Sequence, residues 1–458
     1  MRVNHKPVGL ISSLALLLAT SLMGFSALPA AADSTASVRP MRAVAPAANV
    51  DRPHRVAGAK RLTFERQPFV ESLDAALEPN VMGYTFLLQK NGRVVADGAG
   101  GLARNNEDGH LEMTTHTPQN LGSLFKFITG VALLHVLDRA PEGSAGGNNS
   151  YRTRLDAPAA LLYPQIWNSA IKSPQIRTIT LQQLLQHKSG FRDCSTPQTC
   201  FGGDYDATLQ GQRAYLNFNF ALSGYLLALY SKPDLIALFN KMSRDKTAQE
   251  RDAEMQRMLG DVMMAYINNE VLSLAPGQPS ASCDAANEYK NNGAYGYVGK
   301  LDRNPGIITS RKAGGKPCSG AGGNWMSISD FAAFVGAALH TDRILSLQAR
   351  NSMYREPMDP DDRLVWSFTT MNNWIRDNFG MDTIIWSNGI QPYDAGQSFN
   401  TVLLRLPDSY ELMIFTNSGG MSVNNLANAG MTAFFPAEGL GAHPCTPRKG
   451  YRKQRFPT

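Results

Sequence analysis

A serine and a lysine three residues apart, Ser123 and Lys126, sit in the segment LGSLFKFITGVALLHVLDR at 121–139. Leu124, Phe125, Phe127, Ile128, Val131, Leu133, Leu134, Val136 and Leu137 surround a helix there on nearly every face. A helix that is apolar all round is a buried one. A charged amine in its first turn would be costly without a partner. Burial favours the neutral form instead, which suits Lys126 to take a proton. Residues three apart share one helix face, so the hydroxyl and the amine meet. The helix N-terminus beside Ser123 also favours developing negative charge. Together these features make an activated nucleophile; the bland alternative is a helix cap followed by a snorkelling lysine.

Further residues with chemical potential follow in order. Leu184-Leu185-Gln186-His187-Lys188-Ser189-Gly190 ends in a glycine-marked turn. Tyr215-Leu216-Asn217 opens a second apolar helix, and Gly322-Gly323-Asn324-Trp325-Met326-Ser327 precedes Asp330 and a third. Trp386-Ser387-Asn388-Gly389 closes a strand-like run shortly before SFNTVLLRLPD. At these residues, over roughly 80–420, the chain resembles the serine β-lactamase and penicillin-binding-protein superfamily, in the branch of class C β-lactamases, D,D-peptidases and family VIII carboxylesterases. The resemblance implies a sheet built from N- and C-terminal strands with an inserted, mostly helical region. It implies Ser123 as nucleophile, Lys126 as its activating amine and Tyr215 as a second proton-transfer group. Asn217 would orient the substrate, Trp386, Ser387, Asn388 and Gly389 would line it, and the backbone N–H groups of Ser123 and Ile390 would form the oxyanion hole.

Two features depart from the family pattern. Tyr289-Lys290-Asn291, following Pro276-Gly277, is a second candidate for the tyrosine motif. Tyr215 is favoured because Ser231-Lys232-Pro233 after its helix continues the pattern. The strand motif also lacks the Lys or His that faces a substrate carboxylate, and Trp386 brings it closer to the esterase branch. His187 invites a Ser–His–Asp reading, but the chain has no G-x-S-x-G elbow, and the resembling family uses the corresponding histidine structurally. No cofactor or metal is expected, because no C-x-x-C or H-E-x-x-H spacing occurs. The substrate is expected to be a small molecule or a peptidoglycan-derived one. The competing reading is a catalytically weak relative that binds peptidoglycan or a protein partner.

The elements that must hold these residues can be read around them. Hydrophobic residues make up 43% of the 458, enough for a large core, and charged residues only 18%, which argues against a disordered or coiled-coil chain. The net charge of +6 is diffuse and no nucleic-acid motif accompanies it, so nucleic acid is not an expected partner. Arg2, His5 and Lys6, an apolar run from Val8 to Phe25, then Pro29-Ala30-Ala31-Ala32 have the layout of a cleaved secretory signal over 1–32. A secreted or periplasmic protein with no stable membrane span after cleavage is therefore expected. A linker at 33–62, a hydrolase domain over 63–440 with its helical insertion at about 140–320, and a basic tail at 441–458 complete the layout.

Asn91-Gly92 between runs at 81–90 and 93–99 predicts a hairpin, with Gly98-Ala99-Gly100-Gly101 as its flexible end. Strands are predicted at 383–386, 398–406 and 411–416, with Pro407-Asp408 turning between the last two. The charge-dense stretch 243–258 reads as a solvated helix, or more sharply as a substrate lid. Cysteines 194, 200, 283, 318 and 445 allow two bridges and a spare thiol. Cys194 with Cys200 and Cys283 with Cys318 are natural pairs in an oxidising compartment, although spacing alone does not fix the pairing.

Overall fold

A computed structural model describes residues 64–139, 154–242, 245–309, 311–312, 314–354, 365–366, 368–371 and 383–437. The signal, linker and basic tail segments and Cys445 lie outside the described residues. The chain opens with helix α1 (Arg66–Leu77), whose Phe69, Leu73 and Leu77 recur every four residues and form its buried stripe. Strands β1 (Gly83–Lys90) and β2 (Arg93–Arg104) follow as a hairpin. Its turn has Asn91 at φ 49° and Gly92 at φ 72°. Positive φ at both central residues is what the right-handed strand twist asks of a two-residue turn.

The run Gly98–Gly101 is not a flexible hairpin end but part of β2, paired with β1. A Cβ on Gly98 would sit 2.3 Å from the Phe86 ring, and one on Gly100 would sit 2.5 Å from the Tyr84 hydroxyl. The glycines are there because cross-strand aromatic rings lie over them.

The seven-stranded sheet has the order β3-β2-β1-β9-β8-β7-β6, with β3 (Leu111–Glu112), β6 (Phe368–Met371), β7 (Thr383–Pro392), β8 (Ser398–Leu406) and β9 (Tyr410–Thr416). Every pairing is antiparallel. The first strand lies beside the last, so the sheet forms only when the two ends of the domain meet. Its central strands β1, β8 and β9 are buried on both faces, which explains their near-continuous apolar sequences. Phe86, Leu88, Val402, Leu404, Leu412 and Ile414 pack with α1 and the last helix, α6 (Val423–Ala437). Leu87, Ile385, Leu403, Met413 and Phe415 pack on the opposite side with the helical region.

That helical region contains α2 (Phe125–Arg139), α3 (Asn217–Ser231), α4 (Ala248–Tyr266) and α5 (Ile328–His340), with shorter helices between them. A second, two-stranded sheet pairs β4 (Gln119–Asn120) with β5 (Trp325–Met326). Helix α2 is buried from Phe125 to Leu137, as its all-round apolar sequence predicts, and Phe127 meets the rings of Phe331, Phe334 and Trp366. Helix α4 is not a lid. Met255, Leu259 and Met263 are fully buried against the core, and buried Asp252 accepts hydrogen bonds from Trp167 Nε1 at 2.7 Å and Gln256 Nε2 at 2.8 Å. Its charge-dense sequence hid a buried face that a reading by charge alone could not see.

Candidate active site

The nucleophile candidate sits where a turn becomes a helix. Residues Gly122–Leu124 form one turn of 3-10 helix, and α2 begins at Phe125. Gly122 opens the turn at φ 52°, in the left-handed region that disfavours a side chain. A Cβ there would also lie 2.7 Å from the Ile390 nitrogen. The Ser123 turn is thus packed against the backbone of β7. Gly389 admits the same contact from the other side, since a Cβ on it would lie 1.9 Å from the Leu121 carbonyl oxygen. Thr401 on β8 secures the join by donating its hydroxyl to that carbonyl at 2.9 Å.

Three side chains converge on this turn. Lys126, 1% exposed, has its Nζ 2.9 Å from Ser123 Oγ, 2.7 Å from Asn217 Oδ1 and 2.5 Å from the Ala321 carbonyl. The Tyr215 hydroxyl reaches Ser123 Oγ at 2.9 Å and Asn217 Oδ1 at 3.5 Å. Burial drives the Lys126 amine below its ordinary value, and the nearby Tyr215 opposes this only in part. In its neutral form the amine donates to the two fixed acceptors, Asn217 and Ala321, which leaves its lone pair for the Ser123 proton. The spacing of Ser123 and Lys126 brings about this meeting, and α3 supplies Asn217 from its first residue.

Tyr289 is elsewhere. It packs against the hydrophobic cluster that includes Trp325 and Phe399, and its carbonyl accepts from Arg104. Burial pushes its hydroxyl up to about 12. His187, at φ 57°, turns its ring onto that of Tyr215 with centroids 4.6 Å apart. Its Nδ1 accepts from the Leu216 N–H at 3.2 Å and faces Asn219 Nδ2 at 3.3 Å. Burial holds it well below its usual range, so the ring is neutral and acts as an acceptor that fixes the start of α3 and the tyrosine before it.

The four residues read as a strand motif divide by face. Along β7, Ile384 and Trp386 pack toward α1 and α6, whereas Ile385 packs toward the helical region. Alternation then puts Ser387 and Gly389 on the side of the Ser123 turn, and Asn388 with Trp386 on the other. The expectation that Trp386 and Asn388 line the substrate is corrected by this register. The strand also continues to Pro392 instead of ending at Trp386. The inward position two before Gly389 is Ser387, which is buried.

Sequence reasoning missed the Ala321 carbonyl and the Thr401 hydroxyl. A backbone carbonyl carries no residue-type signal; only the neighbouring Gly322-Gly323 hints at a close approach. The Gly389 contact gives a direct prediction. Gly389→Ala should drive β7 from the Ser123 turn, lowering stability by about 1–3 kcal/mol and suppressing serine-reagent labelling. Thermal melting and labelling of the purified variant check both.

With this geometry in view, residues 69–428 match the family model described as Beta-lactamase. No curated protein matches the chain. Among solved structures, it is similar to an octameric penicillin-binding protein homologue from Pyrococcus abyssi, with TM-score 0.53, 17% identity and coverage of 80% of this chain and 74% of that one. A β-lactamase/D-alanine carboxypeptidase from Pseudomonas syringae gives TM-score 0.53 at 14% identity, covering 80% and 97%. A D-amino acid amidase from Ochrobactrum anthropi gives 0.52 at 16%, covering 80% and 97%. At these identities the likeness is one of fold. Among the described residues there is no group of His, Cys, Asp and Glu that could hold a metal ion, and no helix long and apolar enough to cross a membrane.

Proposed function

The chain belongs to the β-lactamase family, and from that premise we propose that it is an exported serine hydrolase working through an acyl-enzyme on Ser123. The observation that carries this reading is the convergence of Lys126 Nζ and Tyr215 Oη, each 2.9 Å from Ser123 Oγ. Neutral Lys126 takes the Ser123 proton as Oγ attacks a carbonyl carbon. The oxyanion is received by the backbone N–H groups of Ser123 and Ile390. Tyr215 passes a proton to the departing oxygen or nitrogen, the ester to Ser123 remains, and water releases the acid with the same groups acting in reverse. The amino-terminal signal layout supports export.

The substrate class follows from β7. A lysine or arginine at the inward position would hold a substrate carboxylate by charge-assisted hydrogen bonds. Ser387 stands there and offers a neutral hydroxyl. Uncharged acyl substrates such as short esters are therefore favoured over penicillins. Comparing kcat/KM for a p-nitrophenyl ester and a chromogenic cephalosporin tests this; a tenfold advantage for the cephalosporin would overturn it. Ser387→Lys should shift the ratio toward the anionic substrate, whereas Asn388→Lys, on the outer face, should leave it near the wild-type value. Intact-mass measurement after exposure to a fluorophosphonate and, separately, a penicillin tests the acyl-enzyme itself. A protein that acquires neither mass is not a serine hydrolase of this kind.

A further inference from the structure

The carbonyl that holds Lys126 belongs to a tethered arch, residues 318–325. At one end Cys318 is bonded through its sulfur to Cys283. At the other end Trp325 exchanges two backbone hydrogen bonds with Ser282, at 2.7 and 3.0 Å. Both feet of the arch thus stand on two consecutive residues, Ser282 and Cys283. Between the feet, Gly320 O accepts from the Thr129 hydroxyl at 2.9 Å and Ala321 O accepts from Lys126. Asn324 O accepts from the Leu121 N–H at 2.9 Å, two residues before the nucleophile. A Cβ on Gly322 would lie 2.6 Å from Gly122 O and 3.3 Å from the Ser123 nitrogen. The arch therefore touches both the nucleophile turn and its base.

The geometry points to the Cys283–Cys318 disulfide as a positioning element for catalysis: by pinning the foot of the arch, it keeps the Ala321 carbonyl on Lys126 and keeps water from the amine. This inference rests on the serine-hydrolase reading above. Cys283 and Cys318 touch no reacting atom; they act through Ala321. Cys194–Cys200 is the natural control. It closes a short loop that ends within the helix Pro197–Gly202 and lies outside the arch.

The consequence for pH has a definite sign. The groups facing Lys126 are Ser123, Asn217, the Ala321 carbonyl and the titratable Tyr215, with His187 behind Tyr215 and held neutral by burial. A relaxed arch admits water, lessens the desolvation that lowers the amine and lets Lys126 hold its proton to higher pH. The rising limb of activity against pH then moves to higher pH. A misplacement of the base also slows acylation at any pH, by about tenfold or more.

The test is the rate of Ser123 labelling by a fluorophosphonate, measured against pH for wild type, C283S/C318S, C194S/C200S and Thr129→Val. Near-UV circular dichroism and thermal melting establish that each variant is folded. C283S/C318S is expected to label about tenfold or more slowly near neutral pH, with its limb displaced to higher pH. Thr129→Val keeps the disulfide but deletes the bond to Gly320, and should displace the limb the same way by a smaller amount. C194S/C200S should melt earlier with its limb in place. A folded C283S/C318S protein with the wild-type rate and limb overturns the inference, as does an equal displacement in C194S/C200S. If C283S/C318S does not fold, Thr129→Val decides alone, and an unmoved limb overturns the inference. Failure of wild type to label would instead overturn the functional reading, and this inference with it.

Discussion

Ser123→Ala is expected to abolish covalent labelling and turnover while leaving the fold intact. The replacement removes one hydroxyl from a half-buried position at the head of α2, where no apolar packing depends on it. It leaves Lys126 with its bonds to Asn217 and Ala321, so the amine remains partnered and stability should change little. Turnover, by contrast, loses the atom that forms the covalent bond. Intact-mass measurement after incubation with a fluorophosphonate gives the readout, with thermal melting alongside. Undiminished labelling of the variant would remove Ser123 from the mechanism.

The next largest effects belong to the two groups that move the Ser123 proton. Lys126→Ala should cost ~10²–10⁴-fold in kcat, the usual contribution of a positioned acid–base group, and Tyr215→Phe at least the lower end of that range. Lys126→Arg should not rescue, because a guanidinium stays charged and cannot accept the proton. In wild type the amine is driven below its ordinary value by burial, so it is free to act at pH values where an exposed lysine would be protonated. Activity should therefore fall as pH drops through that lowered value, and the falling limb should vanish in Lys126→Ala. Tyr289→Phe should stay near wild type, since Tyr289 packs against the separate cluster of Trp325 and Phe399 and not on the Ser123 turn. If the two tyrosines ranked the other way, the proton path drawn through Tyr215 would be wrong. Steady-state kinetics of the four variants on one aryl ester settles the order.

Local pattern determined much of this protein before any contact was known. The hairpin at Asn91-Gly92 is legible because its turn needs positive φ at two adjacent positions. The burial of α2 is legible because no face of it is polar, and Ser123 meets Lys126 because three residues make nearly one helical turn. All of these depend on neighbours within a few residues. Three other features depend on residues far apart in the chain, and only the tertiary structure decided them. Tyr215 rather than Tyr289 faces Ser123 because α3 starts beside α2, a long-range packing outcome that two similar tyrosine motifs cannot reveal. Trp386 faces away from the site because the pairing register of β7 with β8 assigns its face, and a one-residue shift in register would reverse it. The Ala321 carbonyl holds Lys126 because a disulfide and an isolated backbone bridge bring the arch back to Ser282 and Cys283. Its role belongs to the backbone, so the residue type at 321 carries no trace of it.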